Sequence, residues 1–318
     1  MTGLELSRAY WETYGRDMLE KDFPGTANYI AVGLCGSGSE CLGFDDEISR
    51  DHDFEPGFCL FLPGEEIIDR KESFRLERAY MKLPQEFLGF HRARLSPVGG
   101  NRHGVIRMED FLKEKTGTAD GRLTVRQWLT VPEQNLLEAT CGEIWRDDSG
   151  RFTAIRESLA AFPEDIRLRK LSGELLLMKQ SGQYNFRRCL EHGETGGALL
   201  AVGEFVRAGM HALFLLSSVY MPYYKWSFRA LRTLGEKRSL QAGMLEQLLK
   251  GNAEPEDLEE REILIAEIAD QVVEELQEKN LTDASCGDME QHAYSVADRI
   301  QDAEIRNMHI LAGVSRES

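Results

Sequence analysis

The sequence predicts an α+β chain, in which a strand-bearing first part is followed by a helical bundle. Two observations carry this expectation. Before about residue 120, short apolar runs of strand length alternate with glycine- and proline-rich turns. From Thr124 onward nearly all apolar residues recur at helical spacing.

Residues 4–23 have helical spacing and stop at Pro24-Gly25. Tyr29-Ile30-Ala31-Val32-Gly33-Leu34 is an apolar run of strand length that leads into Cys35-Gly36-Ser37-Gly38-Ser39. A polar loop follows, then Asp51-His52-Asp53-Phe54 and Phe58-Cys59-Leu60-Phe61-Leu62, a second strand with a turn or bulge at Pro56-Gly57. Residues 65–81 read as helix. Residues 91–95 and 103–108 read as a strand pair around the turn Pro97-Val98-Gly99-Gly100-Asn101. Helices are then expected at 124–130, 133–142, 152–161, 164–192, 197–219, 224–234, 238–250, 256–278 and 289–312, with Gly, Pro or Asn near most breaks. The expected division is an α+β domain over 1–122 and a helical domain over 123–318.

A chain of 318 residues can build a sizeable core in each of two domains. Lys and Arg total 38 against 54 Asp and Glu, a net charge of −16. That field repels duplex nucleic acid and anionic membrane, so neither is an expected partner. Six cysteines occur without a CxxC pair or zinc-ligand spacing, which points to reduced thiols and a cytoplasmic location. The longest apolar stretch, 198–220, is broken by Glu204, Arg207 and His211 and reads as a buried helix, not a membrane span.

One segment carries chemistry: Gly36-Ser37-Gly38-Ser39-Glu40, a loop, then Asp51-His52-Asp53. A glycine-serine turn after a strand leaves backbone N–H groups free to hold phosphate, and Ser37 adds a hydroxyl donor. Two aspartates at i and i+2 on a strand share a face, where they can hold Mg²⁺, a hard cation that binds nucleotide phosphates. Each half alone is common, since Gly and Ser fill ordinary turns and Asp is frequent in loops and caps. The two together, after an apolar strand and ahead of another, are a much rarer arrangement. His52 between them should point to the opposite face. A histidine-aspartate phosphohydrolase would need further His and Asp ligands that the other histidines do not supply, and a calcium loop would need a central glycine and a final glutamate that are absent.

At these residues the chain resembles the polymerase-β-like nucleotidyltransferase superfamily, whose pattern is a strand, Gly-Ser, a spacer and Asp-x-Asp. The thirteen spacer residues, 38–50, sit at the long end of its range. Within it the chain looks closest to a bacterial group catalogued as a domain of unknown function and related to aminoglycoside nucleotidyltransferases. The resemblance rests on the string from Gly36 to Phe54, on Gly142-Glu143-Ile144-Trp145-Arg146-Asp147, on Phe162-Pro163-Glu164-Asp165 and on Pro222-Tyr223-Tyr224-Lys225-Trp226. It covers most of 25–235 and matches the last eighty residues weakly.

The resemblance implies a small mixed-sheet nucleotidyltransferase domain followed by a helical bundle. It also implies transfer of a nucleoside monophosphate from an NTP, ATP above all, to a hydroxyl of a small molecule or protein. Asp51 and Asp53 would hold Mg²⁺ and act in catalysis, Gly36 and Ser37 would cradle the outer phosphates, and Lys225 would bring positive charge to them from the helical domain. Arg188, rather than its neighbour Arg187, is a second candidate for that contact. The pattern further expects a third carboxylate on a later strand. Ile106 and Arg107 stand there instead, and Glu109 is the nearest acid, equally suited to cap the following helix. That departure favours an alternative: a nucleotide-binding regulatory or interaction protein without catalysis.

Overall fold

A computed structural model describes residues 1–48, 54–92, 103–251 and 255–314, with the side chains of 255 and 256 set aside. The chain divides into two compact units, one formed by 1–123 with 135–160, the other by 124–134 with 161–318.

The first unit opens with α1 (Gly3–Tyr10), capped by a reciprocal Thr2–Glu5 box, which runs through a π-helical stretch (Trp11–Gly15) into α2 (Arg16–Asp22). Gly15 sits where a Cβ would come within 2.4 Å of the Phe58 ring, so only glycine lets the helix lie this close to the sheet. β1 (Ala31–Leu34) leads through a glycine-rich turn to α3 (Ser39–Leu42). β2 (Cys59–Leu62) pairs antiparallel with β1, Ala31 opposite Phe61. Every residue of both strands is buried, the mark of central strands covered on both faces. α4 (Arg70–Met81) starts at an Asp69 cap, later than the expected 65. β3 (Glu86–Phe87) and β4 (Phe90–His91) close a tight ribbon through Leu88-Gly89, both at positive φ.

β5 (Gly104–Arg107) pairs in parallel with β2, Cys59 opposite Gly104, and runs into α5 (Met108–Thr116). The expected hairpin of 91–95 with 103–108 is therefore corrected for its described part: β4 pairs with β3, and β5 with β2. Residues 93–102 lie outside the described residues. α7 (Glu133–Thr140), reached after α6 (Val125–Thr130), is followed by β6 (Glu143–Arg146) and α8 (Arg151–Ser158). β6 pairs antiparallel with β1 and completes a mixed sheet of order β5-β2-β1-β6. The expectation of helix after Thr124 missed this strand, and residues 135–160 belong to the first unit, not to the helical one. The pairing depends on two glycines at close approach. A Cβ on Gly33 would lie 2.1 Å from the Glu143 carbonyl oxygen, and one on Gly142 2.1 Å from that of Leu34.

Side-chain alternation sends Phe58, Leu60 and Leu62 to one face of the sheet, where they pack with Tyr10, Trp11, Leu19, Leu76 and Tyr80. Phe61 points to the other face, stacked on Phe152 of α8 at 4.4 Å between centroids and edge-on to Phe111 of α5 at 5.2 Å.

The second unit is helical. α9 (Glu164–Met178) continues through a π-helical stretch (Lys179–Phe186) into α10 (Arg187–Glu191), and α11 (Thr195–Leu216) crosses it at Gly182, where a Cβ would lie 2.4 Å from Phe205. α11 is long and apolar enough to cross a membrane, but 72% of that window is buried inside the protein, as a core helix is. α12 (Tyr224–Thr233), α13 (Glu236–Leu248), α14 (Pro255–Glu278), α15 (Met289–Ala297) and α16 (Ala303–Arg306) complete the unit. A buried bidentate pair, Arg238–Glu275 at 2.6 and 2.7 Å, fastens α13 to α14. The architecture is α+β, a small mixed sheet with its helices and, in a separate unit, a helical bundle, as expected.

Candidate functional site

The Gly-Ser turn leaves the buried end of β1. Gly36 and Gly38 have φ of +120° and +135°, conformations that side chains rarely adopt, and α3 begins directly after them. Gly36 is buried and Ser37 exposed. The turn is fastened from beneath. Cys141 Sγ donates to the Gly36 carbonyl at 3.3 Å, and Gly142 N donates to the Cys41 carbonyl at 3.0 Å. Arg156 in turn donates to the carbonyls of Ala139, Thr140 and Cys141, closing the end of α7. Burial pushes the Cys35 thiol up to about 12. The hydrogen bond from Cys41 to Cys141 raises the Cys41 thiol, with burial adding to it, and lowers that of Cys141. Cys35 and Cys41 are therefore neutral, buried thiols that pack beneath the turn.

Downstream of α3, Asp45 Oδ2 accepts the backbone N–H of Gly3 at 2.7 Å, which ties the loop to the start of α1. Asp51, His52 and Asp53 lie outside the described residues. Glu55 and His103 lie 3.1 Å apart just before β2 and β5. Sequence patterning did not single out either residue, because neither stands in a recognisable motif. Among the described residues no group of three or more His, Cys, Asp or Glu side chains is placed to hold a metal ion.

Glu109 lies in the exposed first turn of α5, not on β5, and borders a cavity of about 110 Å³ with Pro63, Asp120 and Arg151. α5 does approach the turn: a Cβ on Gly36 would lie 3.7 Å from the Phe111 ring. The strand positions where an acid was expected hold Ile106 and Arg107, and Arg107 donates to the Pro63 carbonyl at 2.6 Å. Gly36, Ser37 and Glu109 belong to the first unit, Arg188 and Lys225 to the second. Arg188 is exposed and donates to the Tyr184 hydroxyl one turn earlier at 2.9 Å. Lys225 is exposed on the first turn of α12, with Nζ 4.9 Å from the centre of the Trp226 ring.

The second unit contains a charged cluster that sequence patterning did not assemble. Glu133 of α7, Lys170 and Glu174 of α9 and His211 of α11 are each at most 4% exposed. Lys170 Nζ lies 3.6 Å from Glu133 Oε1 and donates to the Gly313 carbonyl at 2.8 Å. Glu133 Oε2 accepts Met221 N–H at 3.2 Å. Burial works to raise the Glu133 carboxyl, but His211, Lys170 and Met221 outweigh it and hold it at about 2. Burial raises Glu174 to about 7. Burial also works to lower His211, and its carboxylate neighbours reverse that into a rise. His211 Nδ1 is 3.4 Å from Glu133 Oε1, within ion-pair range but without hydrogen-bond alignment. Neither ring nitrogen has a hydrogen-bond partner among the described residues. Glu133 and His211 border a cavity of about 800 Å³. The only sequence signal was His211 as a polar break in an apolar run.

Residues 128–227 match the model of a family described as Domain of unknown function (DUF4037). No curated protein and no solved structure matches the chain. The matched span contains the whole buried cluster and both Arg188 and Lys225, whereas the Gly-Ser turn precedes it.

Proposed function

We propose that this chain is a cytoplasmic, magnesium-dependent, nucleotidyltransferase-like protein of the polymerase-β-like superfamily. The observation that carries it is the turn at Gly36-Ser37, two positive-φ glycines at the end of a buried strand, followed in the chain by Asp51-His52-Asp53 and the paired strand β2. Such a turn presents backbone N–H groups and the exposed Ser37 hydroxyl to phosphate oxygens. Asp51 and Asp53 would hold Mg²⁺, which when bound would neutralise phosphate charge and polarise the reacting phosphoryl group. The resemblance names Lys225 and Arg188 as further cationic candidates, and orientation with electrostatics would provide the rate. All six cysteines are free, which suits a reducing compartment. The acceptor is a hydroxyl of a small molecule or protein.

A second reading has its own observation. β5 carries Gly104-Val105-Ile106-Arg107 where a third carboxylate would serve, and Glu109 stands on an exposed helical turn. A nucleotide-binding regulatory protein without catalysis would need no acid there. Incubating the protein with Mg²⁺, each NTP and a cell extract separates the two. Release of pyrophosphate that depends on Asp51 and Asp53 supports transfer. Metal-dependent ATP binding without pyrophosphate supports the regulatory role. Absence of both overturns the proposal.

A further inference from the structure

Three of the six thiols, those of Cys35, Cys41 and Cys141, meet beneath the Gly-Ser turn, and two of them come from segments far apart in the chain. Cys41 stands on α3, directly after the turn, and Cys141 follows the last residue of α7. Their backbones are joined where Gly142 N donates to the Cys41 carbonyl at 3.0 Å, and the Cys41 thiol donates to the Cys141 sulfur. Cys141 Sγ in turn donates to the Gly36 carbonyl, so the two thiols form a short relay that ends on the turn itself.

The two thiols differ in their surroundings. Cys41 is buried, whereas Cys141 is half-buried, and the Arg156 guanidinium donates to its carbonyl at 2.6 Å. The bond from Cys41 lowers the Cys141 thiol, burial opposes this, and the Gly36 backbone and the Arg156 charge add to the lowering. A partly exposed thiol beside a cation, with a second thiol bonded to it, is the arrangement of a nucleophilic cysteine and its resolving partner. A thiol that only fills space needs no such neighbour.

We propose that Cys41 and Cys141 form an oxidant-sensitive pair, in which hydrogen peroxide converts Cys141 to a sulfenic acid and Cys41 closes it to a disulfide beneath the turn. The Cys141 thiolate attacks one peroxide oxygen, the O–O bond breaks, and hydroxide leaves to take up the proton that the thiol released. Sulfur is oxidised and the peroxide is reduced to water. Cys41 then attacks the Cys141 sulfur, the S–O bond breaks, and hydroxide leaves with the Cys41 proton as a second water. In a reducing compartment the bond is transient, because exchange with small thiols restores both groups. Closing the disulfide removes the S–H that fastens the Gly36 carbonyl, which loosens the turn. The consequence for phosphate binding rests on the nucleotide reading, whereas the chemistry of the pair does not.

The test uses the reduced full chain, a small molar excess of hydrogen peroxide, alkylation of the remaining thiols and mass spectrometry without reductant. Digestion with a glutamyl endopeptidase cuts after Glu40 and so separates Cys35 from Cys41. A Cys41–Cys141 crosslink is expected, reversed by dithiothreitol. In Cys41→Ser, dimedone traps the sulfenic acid on Cys141, and in Cys141→Ser neither crosslink nor adduct forms. Oxidation should weaken ATP binding about fivefold or more, as the loss of one hydrogen bond at the turn requires, with recovery on reduction. No crosslink in the parent, a crosslink from Cys35 in place of Cys41, or dimedone on Cys41 instead of Cys141 each overturns the pair. Equal ATP affinity in both forms overturns its effect on the turn. A reduced parent that forms the crosslink but binds no ATP supports the pair and sinks the nucleotide reading alone.

Discussion

Cys141 Sγ donates to the carbonyl oxygen of Gly36 across 3.3 Å, a bond between residues 105 apart in the chain. The next residue, Gly142, donates to Cys41 on the far side of the turn. The candidate phosphate-binding turn is thus built by the segment that brings β6 to the sheet edge, and its shape depends on that return.

Gly142→Ala is expected to destabilise the first unit by at least about 2 kcal/mol, because it combines a φ of +73° with a Cβ 2.1 Å from the Leu34 carbonyl. Gly150→Ala is the control. It has φ +65° but open space around the added methyl, and should cost only about 1 kcal/mol. Denaturant titration of both variants checks the contrast. Equal losses would mean that close approach at the turn carries no weight.

Ser37→Ala should weaken ATP binding by about tenfold or more and AMP binding far less. Its exposed hydroxyl follows directly on Gly36, and one hydrogen bond to a charged group is worth about 1.5–3 kcal/mol. Isothermal titration with both nucleotides reads the difference. Parallel weakening would detach the turn from the outer phosphates.

For the aspartates, Asp51→Asn with Asp53→Asn should abolish the Mg²⁺ enhancement of ATP affinity without altering the melting temperature of the free protein. Calorimetry in Mg²⁺ and in EDTA measures it. A double variant whose ATP affinity still rises with Mg²⁺ would move the metal elsewhere.

Lys225→Met keeps the apolar stem against Trp226 and removes only the charge. ATP binding should weaken, adenosine binding should hold, and the unliganded melting temperature should stay within a degree or two, as is typical of exposed substitutions. Unchanged ATP affinity would return Lys225 to the surface.

The buried Glu174 makes a pH prediction. Its folded carboxyl is raised to about 7, so the native state keeps a proton that the unfolded chain releases above about 4.5. Stability contributed by this group is whole below 4.5 and is lost as pH climbs to 7, with Lys170, Arg207, Glu133 and His211 as its charged surroundings. Glu174→Gln removes the ionisation. It should stabilise the protein by roughly 1–3 kcal/mol at pH 8 and change little at pH 4. Urea midpoints at the two values decide, and a variant destabilised equally at both would show that the proton is not held.

Local pattern was enough to place most elements. β1 and β2 were legible because short apolar runs met glycine, and α9 through α14 because their apolar residues repeat every three to four positions. The Gly-Ser turn was legible too, since two positive-φ positions demand glycine wherever they fall. Partnership was not legible. Gly104-Val105-Ile106-Arg107 reads equally as half of a hairpin or as a parallel neighbour, and Glu143-Ile144-Trp145-Arg146 is too short and polar to announce a strand until β1 receives it. Nor could the sequence assemble Glu133, Lys170, Glu174 and His211, which come from three helices and look, one at a time, like solvated charges or a polar break. Periodicity is a property of neighbours along the chain, and it settles which residues fold locally. Burial of a charge depends on what other segments bring beside it, and only the tertiary structure decides that.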